Sequence, residues 1–314
     1  MTEPRFVHLR VHTDYSLVDG VARVKELIKA SVDQRMPAVA VTDENNLFAL
    51  IKFYSGAMGA GVKPLMGADL WVQADDPEDA PYYLCCLVQN ETGYRNLTLL
   101  ISRAWQSNQH RGRAMIRREW LLELNEGLIL LSAARAGDVG RLLVSEKTAE
   151  ATERAREYQQ VFGDRFYLEV QRTERPGDEQ CLHATVALAA ELGIPVVATN
   201  DVRFIDRDDF EAHEARVCIH DGNTLDDPRR TRKYSEQQYL KTADEMAELF
   251  SDLPEALENT VEIARRCSTN VVVPEGIHCC GFAGDKGFNL PELNDHALRT
   301  LKPVVQHCSE GVST

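Results

Sequence analysis

No run of apolar residues in the 314-residue chain reaches the length a bilayer demands, and no basic head followed by an apolar stretch opens it. A membrane-spanning or exported protein is not expected; a soluble cytoplasmic one is. Cations are also short: 35 Lys and Arg face 49 Asp and Glu, a net charge of −14, with a pI near 5.1. Gripping a phosphate backbone depends on Lys and Arg displacing counterions, so any dealing with DNA is expected to be indirect. The cysteines lack a paired framework. Cys181, Cys218 and Cys267 stand alone, while Cys85 adjoins Cys86 and Cys279 adjoins Cys280, which fits a reducing compartment rather than a disulfide scaffold. What is present is an ordinary globular balance, 44% hydrophobic and 27% charged, enough for one large α/β domain or two smaller ones.

The stretch FVHLRVHTDYSLVDG, residues 6–20, is the most informative. Side chains two apart on an extended strand point the same way, which places His8, Arg10 and His12 on one face and Val7, Leu9 and Val11 on the other. Imidazoles at both 10 and 12 would make half of a zinc or manganese site. Arg10 cannot lose its proton and cannot ligate. Further strand-like runs begin at Ala38, Pro64, Tyr82, Leu128, Phe166 and Ile194, separated by helical segments such as VARVKELIKASV, NLTLLISRAW and ATERAREYQQVF. That alternation predicts a mainly parallel sheet, and strands apolar on both faces predict a barrel wrapped by helices.

His12, Asp43, Asp69 and Asp201 fall at or just past strand C-termini, the face where such barrels carry chemistry; an Asp there also caps helices or shapes turns. Beyond Asp201 the pattern turns helical. Residues 210–219 read as one helix, Thr242 to Glu245 as a capping box opening MAELF, and residues 253–267 as another helix with Pro254 in its first turn. The loop DGNTLDDPRRTRKYS carries Arg229, Arg230, Arg232 and Lys233 and reads as a solvated loop offsetting local acids.

The motifs HLRVHTDYSLVDG, VTDENNL, KPLMGADLWV, TGYRNLTLLISRAW, LNEGLILLS, VVATNDVRF, HDGNTLDDP and ALENTVEIARRC follow in order. Together, over about residues 1–273, they resemble the N-terminal PHP (polymerase and histidinol phosphatase) domain of bacterial replicative DNA polymerase III alpha subunits. The resemblance implies a distorted (β/α)7 barrel, TIM-like, which in members with an intact site holds up to three metal ions on His, Asp, Glu and Cys ligands at strand ends. Matched position by position, His12, Asp19 and Asp201 are retained, and Asp69 shortens a Glu. Arg10, Glu44, Tyr83, Ala134 and Arg203 stand where the family has other ligands. A hydrolytic centre needs a filled ligand shell to fix its ions and polarise water, so no catalytic residue and no cofactor are expected. Arg10 and Arg203 are expected to pair with Asp19, Glu44, Asp69 or Asp201, supplying charge where cations were lost.

The resemblance further implies a scaffold that docks the proofreading exonuclease subunit within the polymerase III holoenzyme. Polymerisation would belong to palm, fingers and thumb domains outside these residues. The alternative is a metal-dependent phosphoesterase or 3'–5' exonuclease using manganese, zinc or magnesium on His12, Asp19, Asp69 and Asp201. Residues 274–314 are expected to be an unrelated tail. Its HCCGFAGDKGF and PELNDHALRTLK resemble the cysteine-rich region of FAD-linked oxidoreductases, with Cys279, Cys280 and Cys308 as iron–sulfur ligand candidates. About forty residues offer too little burial and too few ligands for a cluster, so none is expected. A local helix is expected at residues 291–301.

Overall fold

Short, almost wholly apolar segments build the wall that positions everything else. The computed structural model describes residues 5–267 apart from Pro77 and Arg111. The strands are β1 Ala38–Val41, β2 Lys63–Val72, β3 Tyr82–Val88, β4 Gln109–His110, β5 Arg113–Ala114, β6 Leu128–Leu131, β7 Phe166–Gln171 and β8 Val196–Thr199. β4 and β5 form a separate hairpin; the other six make one sheet in the order β1-β2-β3-β6-β7-β8. β1, β6, β7 and β8 are buried at every residue, as strands are when helices cover the outside and side chains fill the inside.

The first apolar run does not form the continuous strand its alternation predicts. It is extended and makes isolated parallel bridges, His8 to Val39 on one flank and Val11 to Val202 on the other. The Ala40 N–H donates to the His8 carbonyl and the His12 N–H to the Val202 carbonyl, both at 2.8 Å. One segment thus bridges to β1 and to the chain just past β8, and the six-stranded sheet curls around it. Among the described residues, ten α-helices accompany the sheet: α1 Val24–Asp33, α2 Leu50–Gly59, α3 Glu91–Ser107, α4 Arg118–Glu123, α5 Asp138–Val144, α6 Thr148–Phe162, α7 Asp178–Leu192, α8 Phe210–Asp221, α9 Ala243–Leu249 and α10 Pro254–Arg266. Pro254 opens α10 and Thr242 caps α9 in a box with Glu245, as the sequence predicts.

The sheet is mainly parallel, as the alternation predicts: the β1–β2, β6–β7 and β7–β8 pairs are parallel, and β3 is the exception, antiparallel to both β2 and β6. Residues 73–81 are too few for a parallel crossover, so the chain turns back on itself. One expectation needs correction: Asp69 is not at a strand end but inside β2, opposite Cys85, because β2 leaves its register with β1 at Met66 and continues along β3.

The barrel floor is apolar. Leu9, Leu65, Leu87, Leu131 and Val197 pack with Val261, Ile263 and Ala264 of α10, which is anchored by Asn259 to the Val196 carbonyl at 2.7 Å. Polar side chains collect at the opposite end. No helix among the described residues is long and apolar enough to cross a membrane. Cys279, Cys280, Cys308 and the helix expected at residues 291–301 lie outside the described residues.

Candidate site at the barrel mouth

Arg10 and His12 converge on one carboxylate. Arg10 Nε donates to Asp69 Oδ2 at 2.7 Å, and His12 Nε2 lies 2.7 Å from the same oxygen. His8 does not join them: its Nε2 donates to the Lys241 carbonyl at 2.8 Å and its ring meets Phe6 edge-on. Arg10 also reaches Glu169 Oε1 at 3.2 Å and lies 3.6 Å from Asp201 Oδ1. Arg203 donates through Nε and Nη2 to Asp201 Oδ1 at 3.1 and 2.7 Å, and through Nη1 to Asp19 Oδ2. Arg10, Arg203, Asp19, Asp69 and Asp201 are all buried. Glu44 takes neither guanidinium; its Oε2 accepts from the Tyr83 hydroxyl at 2.6 Å.

Charge balance explains why such a cluster tolerates burial. Burial alone would push Asp19, Asp69 and Asp201 up, but Arg203 beside Asp19 and Asp201, and Arg10 beside Asp69, hold all three below the usual carboxylate range. Glu169 and Glu44 go the other way, raised by burial. Burial and Arg203 oppose a second proton on His12, but Asp19 and Asp69 outweigh them and raise the ring to about 9 from an ordinary 6.5. Arg203 Nη1 at 2.6 Å and Asp19 Oδ1 at 3.2 Å meet at the same nitrogen, His12 Nδ1.

Asp43 has the turn-shaping role. Its carboxylate accepts from the Thr13 N–H, the Ser16 hydroxyl and the Thr13 hydroxyl at 2.7, 2.7 and 2.8 Å, fixing the turn that carries Asp19. Tyr83 packs tilted against Trp71, with ring centres 3.8 Å apart and planes 33° from parallel. Ala134, at φ 45°, lines a crevice with Glu169 and Gln171 and brings no polar side chain to it.

Several members of the cluster were not anticipated. Glu169 stands on β7, its Oε1 accepting from Thr199 Oγ1 at 2.5 Å and Gln171 Nε2 at 2.7 Å; a lone acid in the apolar run FYLEVQ was the available signal. Arg175 donates to Asp201 Oδ2 at 3.2 Å and to Gln171 Oε1 at 2.8 Å, and nothing in its sequence context marks it. Tyr234 donates to Asp19 Oδ2 at 2.9 Å and Gln238 to Asp201 Oδ2 at 2.8 Å.

His12, Asp69 and Asp201 offer ligand atoms within 4.8 Å of one another, the donor chemistry of a small metal centre. Their surroundings do not fit a divalent ion. Both oxygens of Asp201 accept hydrogen bonds from arginine, His12 is engaged at both nitrogens, and only Asp69 Oδ1 lacks a partner among the described residues of this trio. A cation there would also face the guanidinium groups of Arg10, Arg175 and Arg203.

The model of the PHP domain family matches residues 8–173. The chain is 60% identical over 266 residues to DNA polymerase III subunit alpha of Pseudomonas fluorescens, covering 85% of this chain and 23% of that protein. It is 56% identical over 312 residues to DNA polymerase III subunit alpha of Escherichia coli K12, covering 99% and 26%. The chain therefore spans about a quarter of the length of these relatives. The second alignment runs into residues 274–314, and the oxidoreductase likeness expected of that tail finds no support in these relatives. Among solved structures, an amidohydrolase from Chromobacterium violaceum is similar at 12% identity and a TM-score of 0.45, over 67% of this chain and 96% of that one.

Proposed function

The chain belongs to the PHP domain family, and from that premise we propose that it is the N-terminal PHP domain of a replicative DNA polymerase III alpha subunit, its metal site replaced by ion pairs. In this reading it acts as a scaffold that docks the proofreading exonuclease subunit within the polymerase III holoenzyme, with DNA met only through the assembly. Nucleotidyl transfer belongs to the rest of such a subunit. The relatives' names support the parentage. The observation that carries the loss of catalysis is the pair of buried guanidinium groups, Arg10 and Arg203, bonded to Asp69, Asp19 and Asp201. A hydrolase of this kind needs cations there to polarise water, and the arginines supply positive charge with no Lewis-acid function.

The second reading, a phosphoesterase or 3'–5' exonuclease working with manganese, zinc or magnesium, draws on the closeness of His12, Asp69 and Asp201, with Asp19 beside them. Metal analysis of the purified chain together with hydrolysis of a nitrophenyl phosphate ester separates the two. Substoichiometric metal and no turnover are expected. Stoichiometric manganese or zinc, with turnover abolished by Asp201→Asn, would establish the enzyme instead. Capture of the proofreading subunit by this chain tests the scaffold role, and failure to capture it at micromolar concentration would remove that part of the reading.

A further inference from the structure

We infer that segment 234–241 is a built-in plug of the barrel mouth, and that Tyr234 and Gln238 exclude cations from the carboxylates jointly with the arginines. The inference rests on the ion-paired site proposed above and concerns residues that no ligand motif marks. The segment is held by backbone on one side of the mouth: the Arg203 N–H donates to the Gln238 carbonyl at 2.8 Å, and the Leu240 N–H to the Phe204 carbonyl at 3.1 Å. Asn200 Nδ2 donates to the Gln237 and Tyr239 carbonyls, each at 2.8 Å. Gln238 and Leu240 are buried in consequence.

From this frame two neutral donors face the acids. Tyr234 Oη donates to the Asp19 oxygen that also takes Arg203. Gln238 Nε2 donates to Asp201 Oδ2, while Arg203 takes Oδ1. Tyr234 is itself fixed, edge-on to His213 with ring centres 4.7 Å apart and 5.6 Å from Arg203 Cζ. Asp19 and Asp201 therefore accept donors from two directions, arginine on one side and the segment on the other. Arginine cancels their charge, and the plug occupies lone pairs and space that a cation would need. Removing one arginine leaves the second barrier in place.

The test compares three forms of the full chain by Mn2+ titration, following the free-ion EPR signal: the unmodified chain, Arg203→Ala, and Arg203→Ala combined with Tyr234→Phe and Gln238→Leu. The single variant should bind Mn2+ no more tightly than the unmodified chain, and the triple variant at least about tenfold more tightly. Equal affinity of the single and triple variants would overturn the plug and leave the arginine reading standing. Tight binding by the unmodified chain would overturn that reading and the plug with it. Hydrogen exchange on the unmodified chain supplies a measurement independent of whether the variants fold. The Arg203 and Leu240 amides should exchange about a hundredfold more slowly than those of loop 222–233, and rates as fast as the loop's would equally overturn the plug.

Discussion

Arg10 shows what one residue can decide. It is among the largest fully buried side chains, 1% exposed, with Asp69, Glu169 and Asp201 around it. Taking charges out of water is costly, and removing one partner leaves the others buried and uncompensated, typically at about 3–5 kcal/mol. Arg10→Met keeps much of the volume but not the charge. We expect it to destabilise the chain by about 3–5 kcal/mol, read as a lowered urea midpoint by circular dichroism; a change within error would mean that the cluster relaxes or hydrates without its cation. The exposed Arg5–Asp244 pair, 70% and 91% exposed, is the control, since such surface pairs contribute little. Residue identity made part of this legible. Arginines at 10 and 203, against retained acids at 19, 69 and 201, announce an exchange of charge. Glu169 was legible only as a lone acid in an apolar run; that its side chain turns inward follows from the barrel register, with its N–H on Ser132 Oγ at 2.9 Å.

Elements are tied together by buried imidazoles, and these set the acid response. His8 fastens the first extended segment to the Lys241 carbonyl at 2.8 Å, and His213 fastens α8 to the Asp19 carbonyl at 3.0 Å. Burial lowers both to about 4 from an ordinary 6.5. Between those values the unfolded chain takes up protons that the folded chain refuses, so this stability is present above pH 6.5 and is lost as pH falls toward 4. The depressed acids Asp19, Asp69 and Asp201 lose theirs only below the ordinary carboxylate range near 4. Asp43, Glu44 and Glu169, raised by burial, act in the opposite sense, which makes a differential measurement the right one. The fall in urea midpoint from pH 7 to 5 should be shallower for His8→Gln, whose amide can still reach the Lys241 carbonyl, than for the unmodified chain. Parallel curves would show that His8 titrates alike in both states. At this scale α8, α9 and α10 were readable from periodicity, the capping box and Pro254. The antiparallel run of β3 was not, because strand direction depends on loop length and closure rather than on side-chain pattern.

Over the whole molecule, cations are fewer than acids, and those in the most basic stretch are largely engaged. Arg229 pairs with Asp227 at 2.9 Å, Arg230 with Glu214 at 2.5 Å and Lys233 with Asp221 at 2.8 Å. Arg10 and Arg203 are buried in the mouth. Binding a duplex non-specifically draws its free energy from counterions released as Lys and Arg neutralise phosphates, and dissociation constants of about 10⁻⁴ to 10⁻⁶ M at physiological salt are usual for proteins that do so. A chain of net charge −14 would have to break its own pairs to offer such contacts, and its acids would repel the backbone meanwhile. Fluorescence anisotropy with labelled single- and double-stranded DNA should therefore show this chain binding more weakly than about 10⁻⁴ M at physiological salt. Micromolar binding with a steep decline in log K against log salt would mean that loop 222–233 gives up its internal partners to DNA, and contact with nucleic acid would then belong to this domain itself.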